Sequence, residues 1–256
     1  MSKVLVTVAA HADDVELNAG GTVAKWAAEG GSVHIVMVSA NFAGEMIPES
    51  GDESAKRRLP PIDTAAIRRA EQEASAALIG AKVHYLDYAQ RHYWDGRERI
   101  SAGFGNPTPP PGVMGCPLLL TEYQKPEHFR TMGKLLTSLK PEVVLTQGVL
   151  DVDPEHHAVC SLVWLAFHER REELKGVTLR FWTPGSSCMW GVMEPGYDHF
   201  EDITDHYETK LRMCACHKSQ MTRTRMDMVR ERAERYGVQA RVRYAEPFNT
   251  AKNWDT

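Results

Sequence analysis

The sequence predicts an α/β fold, a mostly parallel central sheet with helices on both faces, and three observations carry the prediction. Apolar runs of strand length, rich in valine, alternate with stretches long enough to be helical crossovers. The runs are apolar throughout instead of at every second residue, as expected of strands covered on both faces of a parallel sheet. The residues able to do chemistry cluster just after such runs, where doubly wound folds place their sites.

Val4 to Ala10 reads as a central strand, Leu17 to Ala28 as a helix stopped by Gly30 and Gly31, and Val33 to Ser39 as the next strand, together a βαβ unit. Residues 41 to 62 mix Gly, Pro, Ser and charge and read as a loop. Thr64 to Ile79 returns to helical spacing and stops at Gly80, and Val83 to Tyr88 is a further strand. Residues 90 to 120 hold Pro109 to Pro111, several glycines and the aromatics Trp94 and Phe104, with Tyr123 close by. That is long for a plain connection in a compact domain, and it reads as a loop over the active site whose aromatics stack on a sugar or hold the loop down. Pro126 to Leu139 is predicted helical, Glu142 to Thr146 a strand and His157 to Arg170 a helix. A strand near Val177 to Trp182 and a helix from Thr204 to His217 follow. Lys218 to Arg243 carries eight basic residues against three acids at helical spacing, which favours a solvated face or subunit contact over an anion site.

A chain of 256 residues with one alternating pattern fits a single domain over residues 1–256. A net charge of -4 gives no general attraction to nucleic acid or to an anionic membrane surface, and points to a small-molecule substrate. No window approaches the roughly 18–20 apolar residues that span a bilayer. The apolar start runs into His11 and Asp13 without a cleavage site, so it reads as a buried strand and not a signal peptide. Five cysteines without framework spacing fit a reducing cytoplasm.

Two clusters carry the chemistry. His11, Asp13, Asp14 and Glu16 crowd the first strand-to-helix turn, and Asp151, Asp153, Glu155, His156 and His157 follow a later strand. A tight turn can aim His11 and Asp14, three apart, at one point, with Asp13 facing the same cavity. Hydrolytic zinc sites use three ligands drawn from His, Asp and Glu and keep a position for water. His11, Asp14 and His156 supply such a set, for zinc or another divalent transition metal. Adjacent helical residues point about 100° apart, so His156 and His157 do not both serve one ion, and His157 is the fallback. The bland readings are that Asp13 or Asp14 caps the first helix and that Asp153 caps a later one with Pro154 at its first position. Acids in place of glycine amides at the strand end argue against a nucleotide-phosphate loop.

The motifs His11-Ala12-Asp13-Asp14-Val15-Glu16, Gly20-Gly21-Thr22 and Asp153-Pro154-Glu155-His156 resemble those of the PIG-L/LmbE family of zinc-dependent de-N-acetylases. The likeness continues through Arg68-Arg69-Ala70-Glu71 to Leu78-Ile79-Gly80, and through Asp202-Ile203-Thr204, Lys210 and His217-Lys218-Ser219-Gln220. It implies a Rossmann-like sandwich, zinc on His11, Asp14 and His156, and Asp13 as the general base that later protonates the departing amine. Two positions depart from the family pattern. Ala12 replaces a proline, and Asp153 stands where a histidine commonly stabilises the oxyanion. Asp153 joins Asp13 in the catalytic set, acting as a donor if protonated in a buried site; His157, His92 and Tyr93 are alternatives by residue type. Arg68 and Arg69 read as paired helix-face residues, and His217 stays outside the set.

The function so implied is removal of an N-acetyl group from an N-acetylglucosamine-type substrate. The alternatives are an amidase of thiol-sugar conjugates and a non-catalytic metal- or sugar-binding module. A homo-oligomer is compatible with the resemblance.

Overall fold

A computed structural model describes residues 3–48, 55–94, 97–101, 116–148, 151–182 and 196–252. β1 (Val4–Ala9) runs through α1 (Asp14–Ala28) into β2 (Ser32–Ser39), and α2 (Pro61–Ala77) leads to β3 (Lys82–Tyr88). A hairpin of β4 (His92–Trp94) and β5 (Arg99–Ser101), then α3 (Leu119–Glu122) and α4 (Pro126–Leu139), precede β6 (Val143–Gln147). α5 (Pro154–Glu169) crosses to β7 (Thr178–Trp182). The C-terminal part holds β8 (His199–Asp202), a 3-10 turn over Thr204–His206, α6 (Tyr207–Cys216), α7 (Arg223–Ala240) and β9 (Ala245–Thr250).

Seven strands form one sheet in the order β3-β2-β1-β6-β7-β9-β8. The first five in that order are parallel, and β9 runs antiparallel to both neighbours. β1 is central and buried on both faces, and side-chain alternation sorts it between two cores. Val6 and Val8 pack into a cluster with Leu136 of α4 and Val159, Leu162 and Phe167 of α5. Leu5 and Ala9 face the other way, against Val15, Ala19 and Val23 of α1 and Met213 of α6. Each fully buried Val, Leu, Met or Phe among these stabilises the fold by about 1.5–3 kcal/mol. This two-sided burial is why the strand reads as a continuous apolar run.

The parallel half matches the sequence expectation, and the differences have physical causes. α1 begins at Asp14 and α5 at Pro154, so polar site residues occupy first helical turns that an apolar period does not register. The long segment after β3 contains the β4–β5 hairpin and α3. Its residues 95–96 and 102–115, including Phe104, lie outside the described residues. Trp94 lies under Arg58, 4.0 Å from its guanidinium, and Tyr123 packs on the core. β8 escapes the periodicity because it is short, and β9 because Glu246 and Pro247 interrupt its apolar pattern. Among the described residues Cys116, Cys160, Cys214 and Cys216 are free, and no helix is long and apolar enough to cross a membrane.

Candidate metal centre

β2 and β3 extend the sheet to one side of β1, while β6 lies on the other. The crevice beyond the carboxyl ends of β1 and β6 is thus a topological switch point. Both chemical clusters emerge there.

The turn after β1 is held by its own atoms. His11 N donates to Asp14 Oδ2 at 2.7 Å, and Asp14 N to His11 O at 3.2 Å. Ala12 N donates to Asn41 Oδ1 at 2.7 Å, a bond that the family's usual proline could not make. Asp13 occupies the N-cap position of α1 with φ 98° and makes no side-chain cap, so capping does not explain it. Gln147, at the end of β6, donates to Asp14 Oδ2 at 2.6 Å and fixes the carboxylate.

Three donor atoms converge. His11 Nδ1 lies 3.0 Å from His156 Nε2 and 3.6 Å from Asp14 Oδ2, and His156 Nε2 lies 3.4 Å from Asp14 Oδ1. A tetrahedral ion with bonds near 2.0–2.1 Å has ligand edges of about 3.3 Å, so the triangle has the required size. The far nitrogen of each ring faces a carboxylate: His11 Nε2 meets Glu155 Oε2 at 2.6 Å, and His156 Nδ1 meets Asp151 Oδ2 at 2.5 Å. With the far N–H groups donating to these acids, the near nitrogens turn two lone pairs toward Asp14, a set that suits a cation. The surrounding carboxylates make the site's potential negative, which favours a cation there, whether an ion or a ring proton. Burial opposes charge on His11, yet the hydrogen bond to Glu155 and the charges of Asp14 and Glu155 raise its pKa. Burial likewise opposes charge on His156, but Asp14 and Asp151 lift it well above the ordinary value. Asp14 is held below the carboxylate range, and Glu155 at about 2, because their histidines outweigh the burial that would raise them.

The site opens into a cavity of about 570 Å³ lined by Asp13, Arg68, His92, Asp153 and the α7 face of Arg225, Val229 and Arg232, among others. Asp13 sits outside the donor triangle, its oxygens 3.5 Å from Arg68 and 3.4 Å from Arg225. Arg68 also donates to the carbonyls of Ala12 and Ala43, so it is a buried wall of the site as well as a helix residue. Arg69 pairs outside with Asp87. Behind Asp13, His217 is buried 3.3 Å from Glu16. Burial disfavours both charges, but mutual attraction raises His217 and lowers Glu16.

Asp153 does cap α5: Oδ1 accepts from Glu155 N at 2.8 Å, while Oδ2 accepts from Arg91 at 3.0 Å. His157 is exposed and its Nε2 meets the Asp151 carbonyl, so His156 alone of the pair enters the triangle. Sequence reasoning named Asp151 and Glu155 only as members of the cluster. Their role as orienting acids rests on where His11 and His156 present their second nitrogens. On α7, Arg225 and Arg232 both line the cavity, two helical turns apart, with Arg225 at its solvent-exposed rim.

Residues 6–167 match the family model described as PIG-L, GlcNAc-PI de-N-acetylase. A 1D-myo-inositol 2-acetamido-2-deoxy-alpha-D-glucopyranoside deacetylase of Actinosynnema mirum is 28% identical over 240 residues, covering 85% of this chain and 81% of that one. Among solved structures, the N,N'-diacetylchitobiose deacetylase of Pyrococcus horikoshii superposes with a TM-score of 0.69 at 23% identity, over 98% of this chain and 84% of that chain. The 4-carboxy-2-hydroxymuconate hydratase of Pseudomonas putida KT2440 superposes with a TM-score of 0.72 at 20% identity, over 97% and 96% of the two chains. A deacetylase and a hydratase share this fold, so fold alone does not select the reaction.

Proposed function

We propose, from the premise that this chain belongs to the PIG-L family of GlcNAc-PI de-N-acetylases, that it is a metal-dependent hydrolase removing the N-acetyl group of an N-acetylglucosamine-type substrate. The observation that carries the reading is the convergence of His11 Nδ1, Asp14 and His156 Nε2 beside an Asp13 carboxylate that the triangle does not use. The substrate class is taken from the family description and from the Actinosynnema mirum relative, which acts on an acetamido sugar.

His11, Asp14 and His156 would hold a divalent ion, zinc in this reading, with Asp151 and Glu155 orienting the two rings. Such an ion supplies Lewis acidity toward the amide carbonyl and lowers the pKa of water. The Asp13 carboxylate accepts the proton of the attacking water and returns it to the amine nitrogen as the C–N bond breaks. Arg68 and Arg225 flank that carboxylate and keep it turned to the cavity. The cavity has room for a sugar ring, and the α7 arginines can each offer several N–H donors to substrate oxygens.

The test is amine release from a panel of N-acetylglucosamine derivatives by zinc-loaded wild type and Asp13→Asn, with metal content measured on both. Release by wild type alone at equal metal supports a deacetylase with Asp13 as base. Silence of both across the panel would overturn the reading.

A further inference from the structure

The resemblance gives oxyanion stabilisation to a histidine at position 153, and here that position is an aspartate committed elsewhere. Its two oxygens serve the α5 cap and Arg91, and a carboxylate there repels developing negative charge. An amide hydrolase still needs a donor, and the structure offers one on a different element. Resting on the amide-hydrolase reading, we propose that His92 donates its Nε2–H to the carbonyl oxygen that becomes negative during hydrolysis.

Three observations converge on His92. It lines the cavity together with His11, Asp14 and His156. The chain before it is laid along the metal centre: Gln90 Nε2 donates to Glu155 Oε2 at 3.3 Å, Arg91 N donates to Glu155 Oε1, and Arg91's guanidinium holds Asp153. Its tautomer is fixed as well. Arg99 NH2 lies 3.2 Å from His92 Nδ1 across the β4–β5 hairpin, and a guanidinium only donates, so Nδ1 accepts and the ring proton sits on Nε2. The surroundings keep the ring a neutral donor at neutral pH. Burial and then Arg99 push its pKa down to about 4, against the pull of Glu155. A neutral imidazole can hydrogen-bond an oxyanion without first surrendering a proton to it.

The other candidates are occupied. Tyr93 points away into a buried cluster against Phe42, with ring centroids 6.2 Å apart. His157 is turned to the Asp151 carbonyl. Arg68 and Arg225 lie on the Asp13 side of the site.

The experiment compares wild type, His92→Phe, His92→Gln and His92→Asn, all loaded with zinc and matched for metal content and melting temperature. Gln places an amide N–H near the position of Nε2, whereas Asn reaches only that of Nδ1, so the pair separates donor position from polarity. The expected result is a kcat loss of about 10²–10³ in Phe, with KM nearly unchanged, as for removal of one oxyanion donor. Gln should recover at least about tenfold of that loss and Asn none. A Phe variant with wild-type kcat, an effect confined to KM, or equal activity of Gln and Asn would overturn the role. In parallel, binding of methylphosphonate, a tetrahedral anionic mimic of the acetyl centre, is measured by calorimetry. If wild type turns over no N-acetyl sugar but Phe and Asn bind methylphosphonate at least about tenfold more weakly than wild type and Gln, the donor role stands and the deacetylase reading falls. Turnover and phosphonate binding both indifferent to position 92 would sink the donor role and leave the deacetylase intact.

Discussion

Asp13 holds φ 98° and ψ -22°, a conformation few side-chain-bearing residues adopt and one in which Asp and Asn are enriched. The geometry costs about 1–3 kcal/mol and persists because the turn on either side is tied down by Ala12, Asp14 and Gln147. It turns the carboxylate away from the helix N-terminus and into the cavity. Asn tolerates the same backbone, so Asp13→Asn removes the base while leaving the fold. Glu155 makes a different prediction. Its carboxylate orients His11 and receives Gln90 and Arg91, so Glu155→Gln should weaken zinc binding by about 10–100-fold. Competition with a chromogenic chelator measures this, and an unchanged affinity would remove Glu155 from the orienting role. At this scale the triangle was legible in sequence, because a turn and a helix start constrain which neighbours can converge. Glu155 and Asp151 were visible only as acids, since their partners are the far nitrogens of rings whose orientation depends on β6 and α5. Ala12 was legible as a departure but not as a donor to Asn41, which lies across the sheet after β2.

The Gly20-Gly21-Thr22 triplet shows what an element needs from its neighbours. A Cβ on Gly21 would lie 2.7 Å from three carbons of Ile203, while one on Gly20 would lie 3.2 Å from the flexible Lys210 Cγ. Thr22 donates through both N and Oγ1 to Glu246 on β9, and Lys210 on α6 closes the network by donating to the same carboxylate. The triplet is therefore a packing and latching surface of α1, with no phosphate-cradling role. Alanine is the better helix former by about 1 kcal/mol, whereas overpacking costs about 1–3 kcal/mol. At Gly21 the contact wins, because Ile203 meets the new methyl with its own Cβ and cannot swing aside. Gly21→Ala should lower stability by up to about 2 kcal/mol, and Gly20→Ala by clearly less. Urea midpoints of the two variants check the order, and equal midpoints would refute the packing argument. Sequence spacing marked these glycines as a motif but could not name Ile203 or Glu246, which come from the other end of the chain. The same distance hid the α7 face: helical spacing put Arg225 and Arg232 on one side, and only tertiary packing set that side along the cavity.

The sheet is a parallel set of five strands joined through β7 to the antiparallel β9 and β8, and the parallel set was legible because its strands are apolar runs, buried on both faces at its centre. The antiparallel set was not, since β8 is a short edge strand and β9 is interrupted by Glu246 and Pro247, and the side-chain pairs that tie them down are encoded by no local period. One such pair ties the edge back to the first βαβ unit: Lys25 on α1 donates to Glu201 on β8 at 2.5 Å, and His199 lies 3.1 Å from the other oxygen. Burial would raise the Glu201 pKa, but the hydrogen bonds from His199 and Lys25 lower it from 4.5 to about 2. Lys25 moves upward for the same reason, led by its bond to Glu201. Because the folded pKa of Glu201 lies below the unfolded one, the unfolded chain binds the extra proton between those values. The pair's contribution is therefore complete above pH 4.5 and is lost as pH falls toward 2. Both side chains are partly solvated, which limits the contribution to about 1 kcal/mol at neutral pH. Glu201→Gln should be less stable than wild type by that amount at pH 7, with the gap closing as acid is added, because the variant has no proton to take up at this position. Urea unfolding of both proteins at pH 7, 4.5 and 3 tests it. Two stability curves that coincide through the acid range would mean that the edge strand β8 is held by its pairing with β9 alone.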